Sequence, residues 1–143
     1  MTVTGERDLN VLLKQMKPEL RPGIFVFCTI PADANIPAAL NPLLTFREQE
    51  GTTLVILREE AEAAGLSYAF PSRLITLTVH SALDAVGFLA AITARLAKAG
   101  ISANAVSAFH HDHLFVPVDR ADEAMAALSE LSLSPPSQDA SMA

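Results

Sequence analysis

Residues Ser107 to Val118, SAFHHDHLFVPV, place His110, His111, Asp112 and His113 at four consecutive positions beside an apolar run. Imidazoles and a carboxylate are the donor set of metal centres and of general acid–base catalysis, so the first question is which of these the cluster can build. A zinc site needs three or four ligands converging on one point, usually His at i and i+4 on a helix or paired cysteines. HHDH has neither spacing. Successive strand residues point to opposite faces, which sends His111 and His113 to one side and His110 and Asp112 to the other. A metal would then require His80 to join His113 across adjacent strands. Two other readings compete: a polar hairpin tip with Asp112 ordering the turn through local backbone bonds, and contact of His80 or His113 with a ligand. No metal ligand and no cofactor is assigned.

The elements that position these residues are bounded by the chain itself. At 143 residues, half of them hydrophobic, it is the size of one ordinary domain or two very small ones sharing a core. Cys28 stands alone, so neither an internal disulfide nor a cysteine-pair zinc site is available, and a reducing cytoplasm is expected. The net charge of −6, with ten scattered Lys and Arg, disfavours a nucleic-acid partner. The start MTVTGERDLN has no apolar segment behind a basic one, and the apolar run GIFVFCTI is too short to cross a bilayer. The expectation is a soluble protein with no membrane partner.

Two strand-turn-strand-helix units of similar design follow one another, Leu43 to Leu66 and Ala103 to Leu128, each preceded by an apolar strand, GIFVFCT and RLITLTVH. Between strand and hairpin the second half carries LDAVGFLAAITARLAKAG, with Leu89, Ile92, Leu96 and Ala99 at helical spacing and Gly100 as a C-terminal cap. The first half carries PADANIPAALNP there, whose prolines break a long helix, so it is the degenerate copy. A leading helix puts Leu9, Leu12, Leu13 and Met16 on one face before Pro18. Strand, helix, strand, strand, helix opens an α+β, ferredoxin-like βαββαβ fold. Its last strand comes either from LSLS at Leu131 to Ser134 or from the first half. Pro117 belongs at the end of its strand, where a missing N–H costs least. The domains expected are 1–70, a leading helix with the degenerate unit; 71–134, the more complete unit; and 135–143, a disordered tail. LSYAFP, Leu66 to Pro71, is the one boundary stretch and is too short for independent motion.

ITLTVHSALDAVGFLAAITARLAKAGISANAVSAFHHDHLFVPVDRADEAMAAL resembles an ACT domain, and FREQEGTTLVIL, VHSALDAVG and HDHLFVP together resemble the small tandem ACT proteins of unknown function, over roughly Met16 to Leu131. The resemblance implies a non-catalytic regulatory protein that binds an amino acid or similar metabolite. In this topology His80, His110, His111, Asp112 and His113 share one end of the sheet, with the start of the following helix. Ser81 and Ser107 lie near these histidines, but no third orienting residue or oxyanion arrangement accompanies them, so no catalytic residue is assigned. Phosphate-loop and dinucleotide signatures are absent.

The resemblance also implies where a metabolite sits: between the loop His80 to Gly87 of one unit and the second strand of another. His80 and Ser81 open that loop, and backbone amides around Asp84, Ala85 and Val86 would take a carboxylate at a helix start. Asp84 or Glu48 would meet an amino group, and Arg47 an acidic one. Gly87 either admits a close ligand or serves helix packing. Solvated strand residues at Arg47 and Glu48, and an acid stabilising a helix start at Asp84, are the plain alternatives. A protein-interaction module with a vestigial pocket is the second functional class. Both classes imply a homodimer, since unpaired sheet edges tend to pair.

Overall fold

A computed structural model describes residues 5–133. The tail at 135–143 lies outside the described residues. The chain runs α1 (Leu9–Gln15), β1 (Pro18–Leu20), β2 (Phe25–Ile30), β3 (Leu44–Arg47), β4 (Thr52–Leu57) and α2 (Arg58–Ala63). It continues through β5 (Ala69–Leu77), α3 (Phe88–Lys98), β6 (Asn104–Ser107), β7 (Asp112–Pro117), a short 3-10 turn and α4 (Ala121–Leu133). One antiparallel sheet takes the order β3-β4-β2-β5-β7-β6, with β1 also on β5.

The long strand β5 explains how two small units make one sheet. Its beginning pairs with β2, through Ser72 opposite Phe25 and Ala69 opposite Phe27. Its end pairs with β1, through Ile75 opposite Leu20 and Leu77 opposite Pro18. Its other side, Ser72 to Leu77, pairs with β7. Each unit therefore borrows its fourth strand. The second unit, β5-α3-β6-β7-α4, is completed by β1 from the first half, and the first unit, β2-β3-β4-α2, by the start of β5. Of the two sources expected for the last strand, the first half supplies it. LSLS does not, because Ala121, Ala124, Leu128 and Leu131 are all buried at helical spacing, and α4 runs on through Leu133. Pro117 ends β7, where it opposes Ser72.

The helix expected from Leu83 onward begins instead at Phe88. Gly87 precedes it with φ at 91°, a left-handed conformation that a side chain resists, and the chain up to that point is a loop. The amides of Asp84 to Val86 consequently belong to that loop and not to a helical first turn. At the N-terminus Asp8 caps α1, its carboxylate accepting from the Val11 N–H at 3.1 Å, and Leu12, Leu13 and Met16 are fully buried.

Alternation along the strands sorts the molecule into two faces. Ile75, Leu77, Leu114 and Val116 pack under α1, α3 and α4 in the principal core, each fully buried leucine contributing about 2 kcal/mol. Val26, Cys28, Leu54 and Ile56 pack under α2 and Leu40 in a smaller one. The opposite face carries a third cluster, in which the Phe115 ring meets the edges of Phe25 and Phe27 at 6.2 and 5.4 Å. That cluster joins the two units across β5.

Candidate functional site

The site region is organised around Asp112, the first residue of β7. It sits opposite Leu77 on one neighbour and Ser107 on the other, on the helix side of the sheet, and is 7% exposed. A buried carboxylate needs donors, and two hydroxyls supply them: Ser107 Oγ at 2.5 Å and Ser81 Oγ at 3.2 Å. Asp112 thus clamps the His80–Gly87 loop to the β6–β7 hairpin. Its partners are the side chains of Ser107, which ends β6, and of Ser81 in the loop, not the local turn backbone expected from sequence.

The N-terminal segment lies across the same loop. Glu6 donates its N–H to the His80 carbonyl at 2.7 Å, and the Ala82 N–H donates to the Glu6 carbonyl at 2.8 Å. Gly5, with φ at 92°, sits so close that a Cβ would stand 2.6 Å from the Ala82 nitrogen. Arg7 grips Asp84 with two bonds, Nε to Oδ1 at 2.8 Å and a terminal nitrogen to Oδ2 at 2.9 Å. The guanidinium holds the Asp84 carboxyl below the ordinary carboxylate range, chiefly through this hydrogen bonding. Both groups are solvent-exposed, so the pair orients the loop more than it stabilises the fold.

Of the four histidines only His113 lies in a strand; His110 and His111 precede β7, with their rings 6.5 Å apart, so strand alternation does not sort them. His80 and His110 lie 5.5 Å apart, ring to ring, with Phe109 against both. His111 and His113 pair on the other face at 6.4 Å. His80 and His113 are not brought together, because His113 opposes Thr76 in register and its Nδ1 stands 3.0 Å from the Thr76 hydroxyl. Among the described residues no group of three or more His, Cys, Asp or Glu side chains is arranged to hold a metal. Burial holds the His113 imidazole below its usual value, and the neighbouring His111 adds to this.

Arg47 ends β3, the outer strand at the far side of the sheet, Glu48 follows it, and both are exposed. Glu48 accepts from the Thr53 hydroxyl at 2.6 Å. Within one chain they do not face the His80–Gly87 loop across the strand order. In that loop Ser81 is buried, Ala85 and Gly87 half-buried, and Val86 exposed. The cavity beside the loop, lined by Ser81, Ala85, Phe88 and Asp112, holds only about 50 Å³.

A larger cavity, about 350 Å³, opens on the face opposite the helices. Leu74 and Thr76 of β5, Thr78 just beyond its end, and His113 and Phe115 of β7 form its floor. Leu43 and Leu44 from the β3 edge and Val106 from the β6 edge line it together, so the sheet curls until its two edges flank one space. Of these residues only His113 stands out in the sequence as a site residue. The signal for the others was the polar alternation Thr76, Thr78 in RLITLTVH, which on a flat sheet reads as a solvated face.

The fold and this loop-and-hairpin arrangement define the class: two regulatory-type ACT units sharing a strand. One ACT-domain family model matches residues 4–73 and a second matches residues 69–130; their overlap is the start of β5, the part that pairs with β2. The chain belongs to the ACT-domain family and carries two such domains in tandem. It is 46% identical to a Vibrio cholerae protein of unknown function described as a possible transport protein, with a TM-score of 0.78 over 87% of this chain and 95% of that one. Two aspartate kinase structures share the fold at 11% identity. The Clostridium acetobutylicum enzyme has a TM-score of 0.59 over 81% of this chain and 34% of that one. The regulatory subunit from Thermus thermophilus has a TM-score of 0.54 over 79% and 95%. The comparison with curated proteins returned no match. No helix among the described residues is long and apolar enough to cross a membrane.

Proposed function

We propose that the protein is a non-catalytic cytoplasmic regulator that binds an amino acid at the His80–Gly87 loop, in a site completed by Arg47 and Glu48 of a second copy. The observation that carries this reading is His80 Nε2, which is buried yet has no hydrogen-bond partner among the described residues. A buried polar nitrogen without a partner is costly, and a ligand at the loop relieves that cost. Among the described residues the outer strands β3 and β6 each pair along one edge only, which favours association of copies through the other. Arg47 makes no ion pair among the described residues and is available to a carboxylate from outside its own chain. The Ala85 amide is engaged by the Ala82 carbonyl at 3.0 Å, which leaves the amides of Asp84 and Val86 as a second anchor, and Asp84 meets an ammonium group once released from Arg7.

The alternative, a protein-interaction module with a vestigial pocket, is favoured by the small loop cavity and by Leu83, Val86 and Phe109, which are 66%, 84% and 59% exposed beside it. A thermal-shift screen of the purified protein against the twenty amino acids, nucleotides and divalent metals, with a chelator control, separates the two. A rise of a few degrees with one amino-acid class supports the regulator, since a ligand that binds only the folded state stabilises it by mass action. Silence across the panel favours the interaction module. Light scattering at tens of micromolar tests the dimer, and a monomer there removes the second-copy contribution.

A further inference from the structure

The curled face opposite the helices has the attributes of a ligand site inside a single chain. Its volume of about 350 Å³ falls in the range of roughly 300–1,000 Å³ typical of small-molecule pockets. Its lining combines a pair of opposite charges, both from the β1 side, with apolar side chains. Glu19 opposes Thr76 in the β1–β5 ladder, and Arg21, two positions on, is anchored by its N–H to the Leu74 carbonyl at 2.8 Å. Both charged side chains therefore line the cavity from the same direction. They meet each other at only 3.4 Å, and each is about half exposed, so little stabilisation is lost when both turn to a ligand. Next to them lies Thr76, 5% exposed, whose hydroxyl engages His113 Nδ1 and leaves the imidazole Nε2 for another partner. The rest of the lining is mainly apolar: Leu74 beside Arg21, Phe115 opposite Leu74, Val106 opposite His113, and Leu43 and Leu44 at the side.

A cation and an anion on the β1 side, with hydrocarbon over much of the remaining lining, complement a molecule with the opposite charges on one carbon and an apolar side chain. Resting on the reading of the protein as an amino-acid sensor, we propose that this cavity binds an α-amino acid with an apolar side chain. Its carboxylate meets Arg21, its ammonium group meets Glu19, and its side chain packs on Leu74, Phe115 and Val106. The ligand lies on the sheet face away from the His80–Gly87 loop and needs no second copy. His113, kept neutral by burial, adds a hydrogen bond without adding charge.

Calorimetric titration of the full chain with L-leucine tests the site. Arg21→Ala is expected to weaken binding at least tenfold, and Val106→Phe, which fills the apolar part of the cavity, to remove it. Arg21 is exposed and Val106 lies on an outer strand, so neither change threatens the principal core. Lys98→Ala, on the far side of α3, is expected to leave binding unchanged. 4-Methylpentanoate, which lacks the ammonium group, and leucinamide, which lacks the carboxylate, are each expected to bind at least tenfold more weakly than leucine. Full affinity in both Arg21→Ala and Val106→Phe, with loss confined to Asp84→Ala and Arg47→Ala, overturns this site and leaves the amino-acid reading standing at the loop. Equal binding of 4-methylpentanoate overturns the zwitterion assignment. Failure of every amino acid to bind the unaltered protein overturns both.

Discussion

The crossing between the first and second strands is built in opposite ways in the two units. In the second unit it contains α3, whose Phe88, Ile92 and Leu96 are buried against the sheet together with α1 and α4. In the first unit the same crossing, residues 31–43, contains no helix, and residues 31–39 are exposed throughout. A six-residue helix, α2, and Leu40 cover that half of the sheet. The first unit nevertheless keeps its strands, because β2 is paired on both sides, by β4 and by the shared strand β5. A repeat can therefore lose a helix and persist when its sheet is continuous with that of a better covered neighbour. The dependence is mutual, since the second unit takes β1 and α1 from residues that precede the first.

Breaking that mutual dependence should have the largest effect. Removing residues 1–22 deletes β1 and the fully buried Leu12, Leu13 and Met16. Each such deletion in a core costs about 2–5 kcal/mol, and the three together are comparable to the whole of the about 5–15 kcal/mol that holds a typical domain. The shortened chain is expected to lose cooperative unfolding in circular dichroism, the second unit included. Full cooperativity would mean that the more complete unit stands alone.

Phe115→Ala attacks the aromatic junction between the units rather than either helical layer. Phe115 is 2% exposed, and its loss is expected to cost about 3–5 kcal/mol in denaturant unfolding. If the junction is what couples the units, the single transition should also broaden or split.

His113 sharpens the comparison by pH. Its folded-state value lies below the ordinary 6.5, so the unfolded chain takes up the proton first as pH falls. Its contribution to stability is complete above that ordinary value and is lost as pH drops through the lowered one. Arg21 and His111 face the ring and oppose its charge, while Asp112 favours it. Thermal unfolding of His113→Gln between pH 7.5 and 5 is expected to show a smaller loss with acid than the unaltered protein. An identical slope would assign the acid sensitivity to other groups.

The smallest effect belongs to the exposed crossing of the first unit. Replacing residues 33–36 by Gly-Ser of equal length, with Leu40 kept, is expected to change stability by about 0.5 kcal/mol or less. A loss of several kcal/mol in the same denaturation assay would show that this loop covers more than its exposure implies.

The local elements were readable where spacing repeats over enough residues. The buried stripe of α3, the two hairpins, the degenerate first copy and the end of β7 at Pro117 all follow from periodicity and proline chemistry. The start of α3 was misread because Leu83 and Ala85 extend the helical pattern backwards, whereas Gly87 in a left-handed conformation interrupts it. The three-residue strand β1, Pro-Glu-Leu, carries too little alternation to announce itself. Asp112 and its partner Ser107 both stand in the motif that first draws notice, but the second partner, Ser81, comes from a distant segment.

The sequence by itself determined the antiparallel α+β class through patterns within each segment, and its motifs carried the family resemblance, whose topology implies the end of the sheet where the histidines gather. Only the tertiary structure decided that β5 serves both units, that Arg7 occupies Asp84, and that Thr76 and Glu19 line one cavity. Those facts arise from pairing between segments distant in sequence and from the curl of a seven-stranded sheet. Twist accumulates strand by strand, and no single strand encodes where its sum brings the two edges.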